Sequence, residues 1–305
     1  MRMERTNAIT FEPIKEALTV RGYFNPNLKS IVNGRNSLTM EDVNNHLFIK
    51  IYPDNTLMFN SIIAQHLIED ISFMPKLLSY STNKDKIAFA AWELIEPLNR
   101  TDSKTNTSIE FDKIANIIYQ IHKRKSPRFE YGPHFPVNDR RDNWKSYLKH
   151  WINRYISDSP REIKGFKKEP VLDRLVNYID LLPVTNVSPR LLHGDINITN
   201  FPSKGDVIYT TDLDYSIIGD PAWEFASAVA DWKFSSPIYH DILKQYMNLF
   251  EDDENTKKMF MRRIELYGPI KKIGLLYKIG DVSEISINEE MNKSIEEIKS
   301  YSVVA

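Results

Sequence analysis

The sequence predicts an α+β protein of two lobes, a small sheet-rich N-terminal lobe and a larger, mainly helical C-terminal lobe. Three observations lead there. Strand-like runs crowd the first 97 residues, apolar residues at helical spacing dominate afterwards, and short strands near 190–214 interrupt the helices once. A chain of 305 residues suffices for one large domain or two modest ones sharing a core. We therefore expect an N-terminal lobe at 1–97 and a C-terminal lobe at 98–305.

The elements follow in order. "HLFIKIYP" (46–53) reads as a strand, "TLMFNSIIAQHLIEDI" (56–71) as a helix, and "KLLSYS" and "KIAFAAWELI" as further strands. The polar run "NRTDSKTNTS" (99–108) reads as a linker or surface loop. "FDKIANIIYQIHKR" places Ile114, Ile117, Ile118 and Ile121 on one helical stripe, and "NWKSYLKHWINRYI" spaces its aromatics similarly. The polar stretch "SDSPREIKGFKKEP" divides two such helices, and "KKMFMRRIELYGPIKKIGLLYKI" returns to helical spacing near the end. Between them, "SPRLLHGDINITNF" brings polar residues in after a Leu-Leu pair. "SKGD" then makes a turn, and "VIYTTDLD" reads as a mostly apolar strand ending in Asp212 and Asp214.

Composition narrows the function classes. Hydrophobic residues make up 42% and charged residues 27%, the profile of an ordered soluble protein. A formal net charge of -1 gives no electrostatic case for nucleic acid or an anionic membrane. With no cysteine, disulfides, thiolate metal sites and a Cys nucleophile are excluded. "IAFAAW" (87–92) is typical of the longest apolar runs, and the first residues lack the apolar segment of a signal peptide, so the expectation is a cytoplasmic protein without a membrane span.

Asp195, Asn200 and Asp212 fall on either side of one short hairpin. Each alone is a common turn residue. As an ordered set, HGD, then four residues and Asn, then an apolar strand and Asp, they point to chemistry. Two oxygen donors and a spare carboxylate suit Mg²⁺ carried by a nucleotide, a hard cation completed by phosphate oxygens and water. The spare carboxylate, Asp195, is suited to accept the proton of an attacking hydroxyl. "GDP" ahead of an apolar helix supplies an N-cap carboxylate, Asp220, and a Pro at the first helical position.

"HGDINITN" resembles the Brenner-type catalytic loop of the aminoglycoside phosphotransferase and choline kinase superfamily, and "TDLDYSIIGDPAWEFA" resembles that family's "IDWE…GDPAxDLA" segment. The match is strong over roughly 191–228 and weaker, though consistent in order, over most of the remaining chain. The resemblance implies the bilobal protein-kinase-like fold and transfer of the γ-phosphoryl of ATP or GTP to a hydroxyl. It makes Asp195 the catalytic base and Asn200 and Asp212 the Mg²⁺ ligands. It also places Gly194 where protein kinases carry an Arg that answers to activation-loop phosphorylation, which implies a permanently assembled site. His193 is expected to anchor the loop, and Asp220 and Glu224 to hold the following loop and helix.

Lys50 stands mid-strand among apolar neighbours, where a cation requires an anion or a route to solvent along a sheet edge. By resemblance it is the strand lysine that holds the α- and β-phosphates. "AAWELIEPL" resembles the interlobe hinge, whose backbone at Glu93, Leu94 and Ile95 would bond the adenine edge. The pattern departs from the family in one respect. The helix after the strand carries no Glu near Ser61 to pair with Lys50, leaving Asn60 or Gln65 as neutral substitutes. A GxGxxG loop is also absent, with Gly22 and Gly34 flanking "YFNPNLKSIVN".

The expected activity is thus a Mg²⁺-dependent small-molecule kinase acting on an aminoglycoside-type antibiotic or an amino-alcohol or sugar. Acidic clusters at 250–255 and 286–298 are candidates for a polycationic acceptor, though they read first as solvated helix faces or turns. Trp223, Trp232, Tyr239 and Tyr267 are candidates for an aromatic cage, though core packing explains most of them equally. Because the helix Glu is missing, a nucleotide-binding pseudokinase scaffold is the alternative. A metal-dependent hydrolase fails because the remaining histidines lack ligand spacing, and a P-loop enzyme fails because no Walker A run occurs.

Overall fold

A computed structural model describes residues 12–33, 38–52, 55–81, 88–95, 107–126, 143–184, 187–229, 238–250, 253–278 and 284–302. The chain divides into two compact units. One comprises Met1–Asp102 with Asn197–Tyr215, the other Ser103–Ile196 with Ser216–Ala305. The boundary expected at 97/98 lies outside the described residues.

The first unit is built on a five-stranded antiparallel sheet of order β1-β2-β3-β5-β4. Its elements are α1 (Glu12–Val20), β1 (Leu28–Asn33), β2 (Leu38–Asp42), β3 (Leu47–Tyr52), α2 (Asn55–Leu67), β4 (Leu77–Ser81) and β5 (Ala88–Glu93). Strand periodicity sorts the side chains onto two faces. Ile49, Ile51, Phe89 and Ala91 pack on Ile14 and Leu18, an i,i+4 pair from α1. Tyr52, Ala88, Ala90 and Trp92 pack with Met58 of α2 on the other face. Lys50 is on that second face, on the middle strand of five, so the sheet-edge route to solvent does not apply. The small residue Ala90 stands directly across from it on β5. Gly22, with φ 88, closes α1 through the N–H bonds of Gly22 and Tyr23 to Thr19 and Leu18. It is a helix cap rather than part of a phosphate loop, and Gly34 lies outside the described residues.

The second unit comprises α3 (Thr107–His122), α4 (Trp144–Ser157), α5 (Lys168–Leu181), β6 (Arg190–Leu192), β9 (Ile217–Gly219), α6 (Pro221–Val229), α7 (Ile238–Asn248), α8 (Glu254–Lys278) and α9 (Glu284–Ser302). The α3 stripe of Ile114, Ile117, Ile118 and Ile121 is buried, as its spacing predicts. Asn143 caps α4 by accepting from the Ser146 N–H, ending the polar approach to that helix. Trp144, Trp151, Trp223 and Tyr267 form an edge-to-face aromatic core. Gly274 of α8 fits it closely, since a Cβ there would lie 2.4 Å from the Trp151 ring.

Residues 197–215 belong to the sheet unit. They hold the hairpin β7 (Ser203–Lys204) and β8 (Val207–Ile208), turning at Gly205, flanked by one-turn 3₁₀ helices at Ile198–Asn200 and Leu213–Tyr215. The strand predicted over 207–214 is therefore only two residues long. Beyond Ile208 the backbone bonds elsewhere: the Tyr209 N–H to Pro202, Thr210 to Phe73 and Thr211 to Asn200. These irregular partners, invisible as periodicity, end the ladder. The strand Leu191–Leu192 pairs with β9 rather than with this hairpin.

Candidate active site

In the sheet unit Lys50 meets two carboxylates. Its Nζ lies 2.7 Å from Asp212 Oδ1 and 2.7 Å from Asp214 Oδ2. Burial alone pushes the ammonium down, but Asp214 and Asp212 together outweigh burial and hold Lys50 above the ordinary lysine value. The two carboxylates differ in setting. Asp214 is 3% exposed, and its Oδ1 accepts from the Tyr52 hydroxyl at 3.1 Å. Asp212 has a side chain 36% exposed and a backbone φ of 62, a left-handed conformation unusual for a non-glycine residue. Burial pushes the Asp214 carboxyl up to about 6, with Lys50 pulling against it and Asp212 adding to it.

Asn200 is fixed to the same scaffold. Its carbonyl accepts from the Thr211 N–H at 2.9 Å and the Thr211 hydroxyl at 3.1 Å, one residue before Asp212. The short hairpin thus brings Asn200 alongside the Asp212 backbone, as the sequence order predicts. Neither neutral substitute pairs with Lys50. Gln65 spans Trp92 Nε1 and the Pro75 carbonyl, while Asn60 Nδ2 donates to the Asp214 carbonyl at 2.5 Å. Ser61, at the position expected of the missing Glu, hydrogen-bonds the Tyr52 phenol. The carboxylate partners of Lys50 were hidden from sequence reasoning because they lie far along the chain, Asp212 162 residues away, although both belong to the acidic pair already noted.

At the end of β5, the Glu93 N–H donates to Lys76 and the Leu94 N–H to His46, both at 2.9 Å. These two donors are engaged within the sheet, so a ligand at this segment would draw on its carbonyls and on Ile95. The Glu93 carboxylate faces Lys204 at 3.8 Å.

In the helical unit the loop after β6 is held by one buried carboxylate. Glu224 accepts from the His193 N–H at 2.9 Å, the Gly194 N–H at 2.6 Å and His122 Nε2 at 2.8 Å. His122 Nδ1 in turn contacts the Tyr246 hydroxyl at 2.7 Å. Burial pushes the Glu224 carboxyl up, but the hydrogen bonds from His122 and the Gly194 N–H, with the His193 imidazole close by, outweigh it and hold it below the ordinary value. Gly194 has φ 86, a left-handed conformation that glycine adopts without a side-chain penalty. His193 is fully buried, and its Nδ1 lies 3.3 Å from the Asp195 N–H, the anchoring role expected of it. Asp195 emerges from this pinned turn as an exposed residue.

Asp220 accepts from the Ala222 N–H, Arg263 Nε and the Tyr267 hydroxyl, tying the start of α6 to α8. Its N-cap role is legible in "GDP", whereas its α8 partners are not. Sequence reasoning also missed Lys271. Its ammonium donates to the Trp223 carbonyl at 2.9 Å and lies 5.1 Å over the Trp223 ring. Burial pushes it down to about 8, with Glu224 and Asp195 pulling it back up. The acceptor candidates resolve unevenly. Trp223 and Tyr267 are core residues, Tyr239 is half-buried with a phenol raised by burial and by Asp195, and Trp232 lies outside the described residues. Asp253 caps α8 through the Asn255 and Thr256 N–H groups, and Glu290 turns inward to Lys272 at 3.4 Å. Residues 251–252 lie outside the described residues. Among the described residues no group of three or more His, Cys, Asp or Glu side chains is placed to hold a metal, and no helix is long and apolar enough to cross a membrane.

No protein-family model matches the chain. A "Protein LicA homolog" of Mycoplasma capricolum subsp. capricolum is 24% identical over 227 residues, 74% of this chain and 81% of that protein. One from Metamycoplasma hominis is 27% identical over 123 residues, 39% of this chain and 47% of that protein. Among solved structures, the streptomycin–ATP–APH(2")-IIa ternary complex aligns with TM-score 0.61 at 15% identity, covering 97% of this chain and 99% of that one. A thermostable mutant of aminoglycoside phosphotransferase APH(4)-Ia, in a ternary complex with AMP-PNP and hygromycin B, gives 0.62 at 13% identity over 93% and 97%. A choline/ethanolamine kinase family protein from Mesorhizobium loti gives 0.61 at 14% identity over 96% and 94%. The chain thus has the α+β, protein-kinase-like fold that these phosphotransferases share.

Proposed function

We propose that the protein moves the γ-phosphoryl of ATP or GTP to a hydroxyl of a small molecule. The observation that carries this reading is the Lys50–Asp212 contact beside Asn200. It joins an ammonium suited to phosphate and two oxygen donors suited to Mg²⁺ on one short scaffold. Asn200 and Asp212 would hold the ion, and the half-exposed Asp212 carboxylate leaves room for phosphate oxygens to complete its shell. Bound there, Mg²⁺ supplies neutralisation of charge on the phosphates.

The chain's own groups then have separate tasks. Lys50 holds the α- and β-phosphates, and the backbone of Glu93, Leu94 and Ile95 meets the adenine edge through the Glu93 and Leu94 carbonyls and the Ile95 N–H. Asp195 accepts the proton of the attacking hydroxyl, oriented by a loop whose backbone Glu224 fixes. Phosphoryl transfer asks mainly for positioning and charge neutralisation, which is why so few residues suffice. The acceptor is an aminoglycoside-type antibiotic, an amino-alcohol or a sugar. The relatives with streptomycin or hygromycin B bound support the first class and the choline/ethanolamine kinase family protein the second. The scaffold alternative drew on the missing helix Glu, and the contact of Asp214 with Lys50 weakens that motive.

The test is incubation with Mg²⁺ and ATP or GTP against aminoglycosides, amino-alcohols and sugars, with products read by mass spectrometry. One class is expected to gain a phosphoryl group. A protein that binds nucleotide and phosphorylates none of them would favour the scaffold.

A further inference from the structure

The cluster around Lys50 assigns its two carboxylates unequal roles. Both oxygens of Asp214 are engaged, Oδ1 by the Tyr52 hydroxyl and Oδ2 by Lys50. Its backbone carbonyl accepts from Asn60 of α2, and Tyr52 is itself held by Ser61 of the same helix. The α2 sequence contains no Asp or Glu, yet two of its polar residues, Asn60 and Ser61, are buried and turned toward the Asp214 assembly. The helix therefore supports a carboxylate brought by another segment instead of supplying one. Asp212, by contrast, is partly exposed on a left-handed backbone, a setting that leaves its second oxygen for an added ligand.

We propose that Asp214 is the fixed counter-ion of Lys50, in the place a helix carboxylate would hold, and that Tyr52 and Asn60 are the positioning residues that keep it there. Asp214 is then not a ligand to the metal. Its burial explains the permanence, since withdrawing one partner of a desolvated pair leaves an uncompensated charge. The need to hold Lys50 ready for phosphate rests on the phosphotransferase reading, whereas the pairing itself does not.

The test measures ATP and GTP binding by calorimetry in EDTA and across a Mg²⁺ series, for wild type, Asp214→Asn and Asp212→Asn. Asp214→Asn is expected to weaken nucleotide about tenfold with or without Mg²⁺, the size of one lost charge-assisted contact, and to leave the Mg²⁺ half-saturation point unmoved. Asp212→Asn is expected to raise that half-saturation point about tenfold, the loss of one carboxylate ligand. In a Lys50→Met background Asp214→Asn should cost no further affinity, an outcome that a purely structural role would not give. A Mg²⁺ curve displaced by Asp214→Asn as far as by Asp212→Asn makes Asp214 a metal ligand and overturns the proposal. If Asp214→Asn does not fold, Tyr52→Phe takes its place, with the same direction and a smaller effect, and an unchanged affinity overturns it. Should wild type bind neither nucleotide, the proposed function falls while the anchor is still decided by melting temperatures. Lys50→Met must then couple more strongly to Asp214→Asn than to Asp212→Asn, and the reverse order overturns the proposal.

Discussion

In the sheet unit a lysine stands between two carboxylates, one enclosed and one half-exposed, with an acid in excess of the bases. In the helical unit a single enclosed carboxylate, Glu224, accepts from two backbone N–H groups and an imidazole. The first arrangement retains an oxygen and a charge for a further partner, which suits a ligand that comes and goes. The second has its donors met and fixes the course of the chain through His193 and Gly194. The two lie close in sequence, and on the proposed reading their difference separates residues that bind from residues that hold. Asp195 inherits a fixed backbone from the second cluster while keeping an exposed carboxylate.

Substitutions should divide along the same line. The largest effect is expected at Asp195→Asn, which should slow phosphoryl transfer by about 10²–10⁴-fold, the usual range for a general base, with an unchanged melting temperature. An unchanged rate in that variant removes the base from the account. Glu224→Gln should reverse the pattern in stability. It introduces an amide donor where backbone donors already point, at a cost on the order of 3 kcal/mol. Thermal unfolding should register this at roughly 2–4 °C per kcal/mol, as for large domains. A smaller loss than that of Asp212→Asn would break the comparison. Gly194→Ala places a side chain at φ 86 and should cost about 1–2 kcal/mol by the same measurement.

The remaining predictions concern pH. The folded Glu224 carboxyl lies below its ordinary value of 4.5, so the folded state binds its proton less readily than the unfolded chain. Its contribution is fully present above pH 4.5 and is lost as pH falls through the folded value. The stability difference between wild type and Glu224→Gln should narrow over that acid range in urea titrations. Lys271 is pushed from 10.5 down to about 8, so its contribution grows as pH rises from about 8 to 10.5. Lys271→Met should abolish that rise, and a rise that persists would mean another group produces it.

The sequence made the site's inventory legible and left its pairing hidden. His193, Gly194, Asp195, Asn200 and Asp212 stand close enough in order for the proposed reading of them to be made from the sequence. So do the strand around Lys50 and the N-cap at Asp220. The partner of Lys50 was not legible, because a contact between residues 162 positions apart leaves no periodic trace. Helix α1 was passed over within a region that reads as strand-rich, although Ile14 and Leu18 carry its i,i+4 signal. The strand over 207–214 was overextended because apolar alternation reports burial, and the backbone there bonds to Pro202, Phe73 and Asn200 instead of to a ladder.

The most direct measurement is thermal unfolding of wild type and Asp212→Asn with ATP and with GTP, each with and without Mg²⁺. Asn tolerates a left-handed backbone, so this variant removes a charge without adding backbone strain. A ligand bound only by the folded state raises its stability, by about 2.7 kcal/mol at a hundredfold excess over Kd. The account expects a Mg²⁺-dependent rise in melting temperature for wild type with at least one nucleotide, reduced or absent in Asp212→Asn. No rise with either nucleotide, or an equal rise in both proteins, would contradict it.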